Sequence, residues 1–173
     1  MDRSFIFSNV ANEAVGDAGN IDITTSSLSL TNLAFLSSSN LGKGNAGTVK
    51  VKADTISLNE SFMASLVTST EEVSAGGIDI TTGSLSIVNN SRLSTDTYGK
   101  GNAGTIKVEA DTVSLDRSFI FSNVANEAVG DAGNIDITTS SLSLTNLAFL
   151  SSSNLGKGNA GTVKVKADTI FLK

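Results

Sequence analysis

Six serines recur at near-constant spacing along this chain: Ser8, Ser37, Ser65, Ser94, Ser122 and Ser151. A nucleophilic serine needs a base beside it and a third group to orient that base. The sequence contains no histidine and no cysteine, so the commonest general base and the thiolate nucleophile are both missing. The column therefore reads as a hydroxyl ladder closing a strand. Asp54, Asp111 and Asp168 also recur, but on alternate coils they stand about 9–10 Å apart if coils stack at about 4.8 Å. Two of them cannot share an ion, and Asp17-Ala18-Gly19-Asn20-Ile21-Asp22 lacks the glycine spacing of a calcium-binding β-roll. The turns 42–47, 99–104 and 156–161 match G-x-G-x-x-G. A dinucleotide site needs that loop to open a helix, whereas here it opens Thr48-Val49-Lys50-Val51, which reads as a strand. The glycines read instead as a corner that needs positive φ. Thr24-Thr25, Thr81-Thr82 and Thr138-Thr139 recur only every second coil, too sparse for an ice-binding array. No catalytic, cofactor-binding or metal-binding residue is assigned.

The elements that carry these residues come from a repeat. Residues 2–58 and 116–172 are the same 57-residue segment apart from Ser57 and Phe171, and 59–115 is a diverged third copy. Three tandem copies point to one repeat domain over 1–173. Met1 stands where the other copies have Leu58 and Leu115, so the chain reads as a fragment of a longer protein or filament. Each copy divides again: an Ala-Gly step recurs at Ala18, Ala46, Ala75, Ala103, Ala132 and Ala160, alternately 28 and 29 residues apart.

Counted from that step, apolar columns align. Ile21, Val49, Ile78, Ile106, Ile135 and Val163 form one, and Ile23, Val51, Ile80, Val108, Ile137 and Val165 the next. Leu28, Ile56, Leu85, Val113, Leu142 and Ile170 form a third, with Leu30, Leu58, Ile87, Leu115, Leu144 and Leu172 beside them. Each pair brackets a polar residue, the alternation of a half-buried strand. A third strand is expected to point inward at Phe5/Phe7, Ala34/Leu36, Phe62/Ala64, Ser91/Leu93, Phe119/Phe121 and Ala148/Leu150. Three short strands per coil and no capped helical segment predict an all-β fold. It is a right-handed, three-sided parallel β-helix of about six coils of 28/29 residues.

Outward columns carry the surface. Asp22, Lys50, Asp79, Lys107, Asp136 and Lys164 alternate in sign and are expected to stack as a ladder that fixes register. Ile6, Phe35, Met63, Arg92, Ile120 and Phe149 form an apolar stripe on the same count, a candidate for lateral contact and bundling. Met1, Asp2, Phe171, Leu172 and Lys173 form a candidate seam, because Lys173 falls in the column of Asp2 and Leu172 takes the place of Met1. A second copy docked there continues the coils head to tail, with Lys164 followed by Asp22. With a net charge of −5 the chain has no basic footprint for nucleic acid. No stretch is apolar enough for a helical membrane span.

The wording of the repeats is also specific. Gly-Asn-Ile-Asp-Ile-Thr-Thr-x-Ser-Leu-Ser-Leu-Thr-Asn (19–32, 133–146) and Gly-Lys-Gly-Asn-Ala-Gly-Thr-Val-Lys-Val-x-Ala-Asp-Thr-Ile-Ser-Leu (42–58) resemble the repeats of filamentous-haemagglutinin-like exoproteins of the two-partner secretion family, cyanobacterial type. The resemblance implies a β-helix shaft, secreted or displayed at the cell surface. Together the residues and the resemblance predict a non-enzymatic shaft of an extracellular adhesin or filament that contacts copies of itself. A polysaccharide or a cell surface is a further expected partner. The alternative is a β-helix that acts on or binds polysaccharide. Coils this uniform leave no long loop in which to build a single cleft.

Overall fold

The computed structural model describes residues 1–173. It is an all-β parallel solenoid of six coils with no helix. Each coil contributes a short and a long strand: β1 (Phe5–Phe7) and β2 (Ile21–Thr31), β3 (Phe35–Ser37) and β4 (Val49–Asn59), β5 (Phe62–Ala64) and β6 (Ile78–Val88). The pattern continues with β7 (Arg92–Ser94) and β8 (Ile106–Asp116), β9 (Phe119–Phe121) and β10 (Ile135–Thr145), β11 (Phe149–Ser151) and β12 (Val163–Leu172). Odd-numbered strands stack into one six-stranded sheet and even-numbered strands into another.

The two expected strands after each Ala-Gly step are one continuous strand. Its ladder is interrupted at Ser26, Asp54, Gly83, Asp111 and Ser140, where two successive residues face outward and the inward phase resets. Thr25, Ala53, Thr82, Ala110 and Thr139 lie on the inner side just before that break. The four apolar columns stack in the expected register and form most of the 24-residue core, in which Ile78, Ile80, Leu85, Ile87, Ile106 and Leu115 are essentially solvent-free. Burial of each such side chain stabilises the rod by roughly 1.5–3 kcal/mol.

The third face departs from expectation. Its short strands recur alternately 30 and 27 residues apart, as Phe5, Phe35, Phe62, Arg92, Phe119 and Phe149 are mutual partners. The cause is the corner between long and short strands, which is built in the left-handed region. Arg3, Glu60 and Arg117 turn it with one residue, while Asn32-Leu33, Asn89-Asn90 and Asn146-Leu147 use two. A one-residue insertion exchanges the inner and outer faces of a strand. The core column is therefore Ile6, Leu36, Met63, Leu93, Ile120 and Leu150, and the expected inward residues Phe5, Phe62 and Phe119 lie outside.

Glycines hold the closest approaches. Gly101 has φ +134°, and a Cβ there would lie 1.3 Å from the Val73 carbonyl oxygen, so no other residue fits that corner. The Gly of each Ala-Gly step faces the short-strand side across the interior. A Cβ on Gly47 would meet Ser38 Oγ at 2.5 Å.

Candidate interaction surfaces

The serine column does close the structure, but one residue away from the expected positions in alternate coils. The stacked residues are Ser8, Ser38, Ser65, Thr95, Ser122 and Ser152, displaced from Ser37, Ser94 and Ser151 by the same corner insertion. Ser38 Oγ donates to the Gly19 carbonyl at 2.6 Å and accepts from the Gly47 N–H at 3.1 Å. Ser122 Oγ donates to the Gly104 carbonyl at 2.7 Å and accepts from the Gly133 N–H at 3.0 Å. With both lone pair and proton engaged on backbone, these hydroxyls act as cross-braces between the two sheets.

The charge ladder is in register, with Asp22 beside Lys50, Lys50 beside Asp79, and so on to Lys164. Its members do not form direct ion pairs. Lys107 Nζ instead reaches Glu109 on its own strand at 2.9 Å. That hydrogen bond, with the fields of Glu109, Asp79 and Asp136, holds the Lys107 ammonium above the usual lysine range. Its side chain is half exposed, so the pairing is a register preference rather than a source of much stability.

The apolar stripe is corrected by the structure. Met63 and Ile120 are 0% exposed and belong to the core, and Ile6 stacks in their column. Phe35, Arg92 and Phe149 do face outward, and their true neighbours are Phe5, Phe62 and Phe119. Phe7 and Phe121 lie two residues on, so seven of the eight phenylalanines sit on this one face. Ring centroids step along it at 5.5 Å (Phe5–Phe7), 5.8 Å (Phe7–Phe35) and 5.8 Å (Phe35–Phe62). The Arg92 guanidinium then lies 4.6 Å from the Phe62 centroid, within cation–π range. Beyond it, Phe119, Phe121 and Phe149 close a second cluster at 4.7–5.5 Å.

The corner beside this face is built from chemistry of its own. Asn32, Asn89 and Asn146 donate to Asp2, Asn59 and Asp116 of the preceding coil at 2.9, 2.9 and 3.1 Å. Arg117 Nη2 donates to Asn89 Oδ1 at 2.7 Å. Leu33 and Leu147, both at positive φ, are 62% and 89% exposed. A shallow hollow lies between them, walled by Glu60, Asn89, Asn90, Arg117 and Phe119.

A polar trough follows the break in the long strands. Thr81, Thr82, Glu109, Asp111, Thr138 and Lys166 line about 560 Å³ of it, and Thr24, Lys52 and Asp54 line a further stretch of about 290 Å³. Asp168 and Asp111 are both on its wall, two coils apart.

The seam residues sit at the two ends. Met1 packs against the core, its carbonyl accepts from the Thr31 N–H, and Asp2 bridges Thr31. At the other end Lys173 donates to the Leu144 carbonyl and accepts from the Asn146 N–H, beside an open edge carrying Ile170, Phe171 and Leu172. Compared with known proteins, the chain matches no family model, no curated protein and no solved structure.

Proposed function

We propose that this chain is a non-enzymatic structural shaft, a segment of a secreted or surface-displayed adhesin or filament that lengthens by end-to-end stacking of coils. The observation that carries the reading is that the two end rungs are chemically complementary in register. Val163, Val165, Ile170 and Leu172 of β12 stand in the columns of Ile21, Ile23, Leu28 and Leu30 of β2, and Lys164 stands in that of Asp22. A parallel edge of this kind presents unpaired backbone and an apolar cross-section that another coil can cover. The internal junction between β8 and β10 is of the same kind: β10 repeats the sequence of β2, and β8 sets Ile106, Lys107, Val108, Val113 and Leu115 in the columns of Val163, Lys164, Val165, Ile170 and Leu172. Placing a second copy by that register puts its Met1 and Asp2 on the sites of Leu172 and Lys173, so one of the two pairs gives way. The wording of the repeats, similar to that of filamentous-haemagglutinin-like exoproteins, supports the extracellular setting.

Negative-stain imaging and sedimentation of the purified chain test this. Rods should lengthen with protein concentration, with an axial repeat near 29 Å from six coils at about 4.8 Å. A monomer at every concentration overturns the assembly. A second reading, polysaccharide binding, is favoured by the hydroxyl-lined trough at Thr81, Thr82, Thr138 and Lys166. Retention on a panel of immobilised polysaccharides, scored also for cleavage, separates it from the first.

A further inference from the structure

We infer that the aromatic face of β1, β3, β5, β7, β9 and β11 is a lateral interface between two copies of this chain, packed antiparallel about a twofold axis at the fourth coil. This is independent of end-to-end stacking and uses a different surface. The occupant follows from the pattern of the corner and face columns. Read along the rod from the second coil to the sixth, the corner displays Leu33, Glu60, Asn90, Arg117 and Leu147. Reversing that order about Asn90 sets leucine on leucine and Glu60 on Arg117, so the charges are complementary to their own reversed copy. The face column reverses equally well, with Phe35 against Phe149 and Phe62 against Phe119. A twofold lying in the interface and perpendicular to the rod keeps each column opposite itself, which is the self-complementarity that an isologous contact requires.

Neighbouring registers fail on the same residues. Moving the axis half a coil sets Leu33 against Arg117 and Leu147 against Arg3. Moving it a full coil sets Arg3 against Arg117 and Glu60 against its own copy. The backbone also favours display over burial. Leu33 and Leu147 occupy left-handed φ near +65°, which costs a leucine backbone energy, and both remain mostly exposed, so the strain serves display at the surface rather than core packing.

The matched area sets the strength. Five coils at about 4.8 Å by five residues at about 3.3 Å give roughly 400 Å² per partner, half of the ~800 Å² typical of a stable complex. The dimer is therefore weak and concentration-dependent. Arg92 opposes it, because the two guanidinium groups meet at the axis where the column otherwise carries phenylalanine.

The test uses the absence of native cysteine. Asn90→Cys places one thiol beside the axis, and mild oxidation of the full chain should yield a disulfide-linked dimer. End-to-end stacking alone holds two such thiols six coils apart, about 29 Å, and yields none. In sedimentation equilibrium, Glu60→Arg and Arg117→Glu should each weaken lateral association several-fold, and the two together should restore it. Arg92→Phe should tighten it several-fold, and circular dichroism checks that every variant keeps its fold. Absence of the Asn90→Cys dimer, or single charge reversals that change nothing, overturns the proposal and leaves the face to a different partner.

Discussion

Thr97 is the one buried side chain whose polar atom has no partner. It is fully enclosed, and its Oγ1 makes no hydrogen bond. Its column reads Val10, Asn40, Val67, Thr97, Val124 and Asn154. In the second coil Asn40 donates to the carbonyls of Gly16 (2.8 Å) and Asn45 (3.2 Å) and accepts from the Gly42 N–H (2.9 Å). Asn154 repeats all three contacts in the sixth coil. The fourth coil keeps the same Gly-Lys-Gly-Asn-Ala-Gly corner, residues 99–104, but threonine is too short to clamp it. An unpaired buried hydroxyl costs about 1–3 kcal/mol. Thr97→Val has the same shape, extends the Val67 and Val124 contacts, and should stabilise the rod by about 1–2 kcal/mol. With a urea slope of about 2 kcal/mol/M, the midpoint rises by about 0.5–1 M. Thr97→Asn should also stabilise, by rebuilding the clamp seen at Asn40 and Asn154. Urea titration followed by circular dichroism measures both. A lowered midpoint for Thr97→Val shows that the hydroxyl is satisfied in solution and refutes the reasoning.

Burial raises the Asp96 carboxyl above the ordinary aspartate range, although hydrogen bonds from Ser94 Oγ and the Asn123 N–H and the charge of Arg92 pull the other way. The folded state therefore holds this proton more tightly than the unfolded chain. Its contribution to stability falls as pH rises from the unfolded value through the folded one, then stays flat. Asp96→Asn, which copies Asn123 in the same column, should remove that fall, so its stability advantage over the native chain grows between pH 3 and pH 7 in urea titrations. The corrected third face predicts that Met63→Ala costs about 2–5 kcal/mol as a core truncation, while Phe35→Gln costs about 1 kcal/mol or less. Equal costs by thermal melting refute the inside–outside assignment. Gly101→Ala should lower the melting temperature more than any surface substitution, because its Cβ would meet the Val73 carbonyl.

The long-strand sheet was legible because its columns carry strict alternation. Ile21, Ile23, Leu28 and Leu30 each stand beside polar residues, so period and facing come from the same count. The short-strand sheet was not, for two physical reasons. Phe5-Ile6-Phe7 and Phe119-Ile120-Phe121 are apolar at all three positions and contain no alternation. The count from the Ala-Gly step also ran across the corner, where Asn32-Leu33, Asn89-Asn90 and Asn146-Leu147 insert one residue. A signal was present: asparagine tolerates left-handed φ better than most residues, and it recurs at that corner in every second coil. Counting onward from the end of each long strand, with that corner allowed its extra residue, places Phe35 beside Phe62.

That insertion also explains why the 57-residue unit, and not the single coil, is the repeat of the surface. In the four apolar columns of the long strands every coil presents the same kind of residue, so that part of the core sees one period. Outside, the one-residue and two-residue corners alternate, and the exposed charges and leucines alternate with them. Arg3, Glu60 and Arg117 fall on odd coils; Leu33, Asn90 and Leu147 fall on even ones. A single substituted glutamate in the middle copy, where the outer copies carry arginine, converts a repetitive edge into one that reads correctly only against its reverse. The duplication supplies two equal apolar ends, and the divergence of the middle copy supplies the polar centre on which the proposed antiparallel register rests. Because the two outer copies differ only at Ser57 and Phe171, the middle copy is the internal landmark by which two antiparallel rods would align.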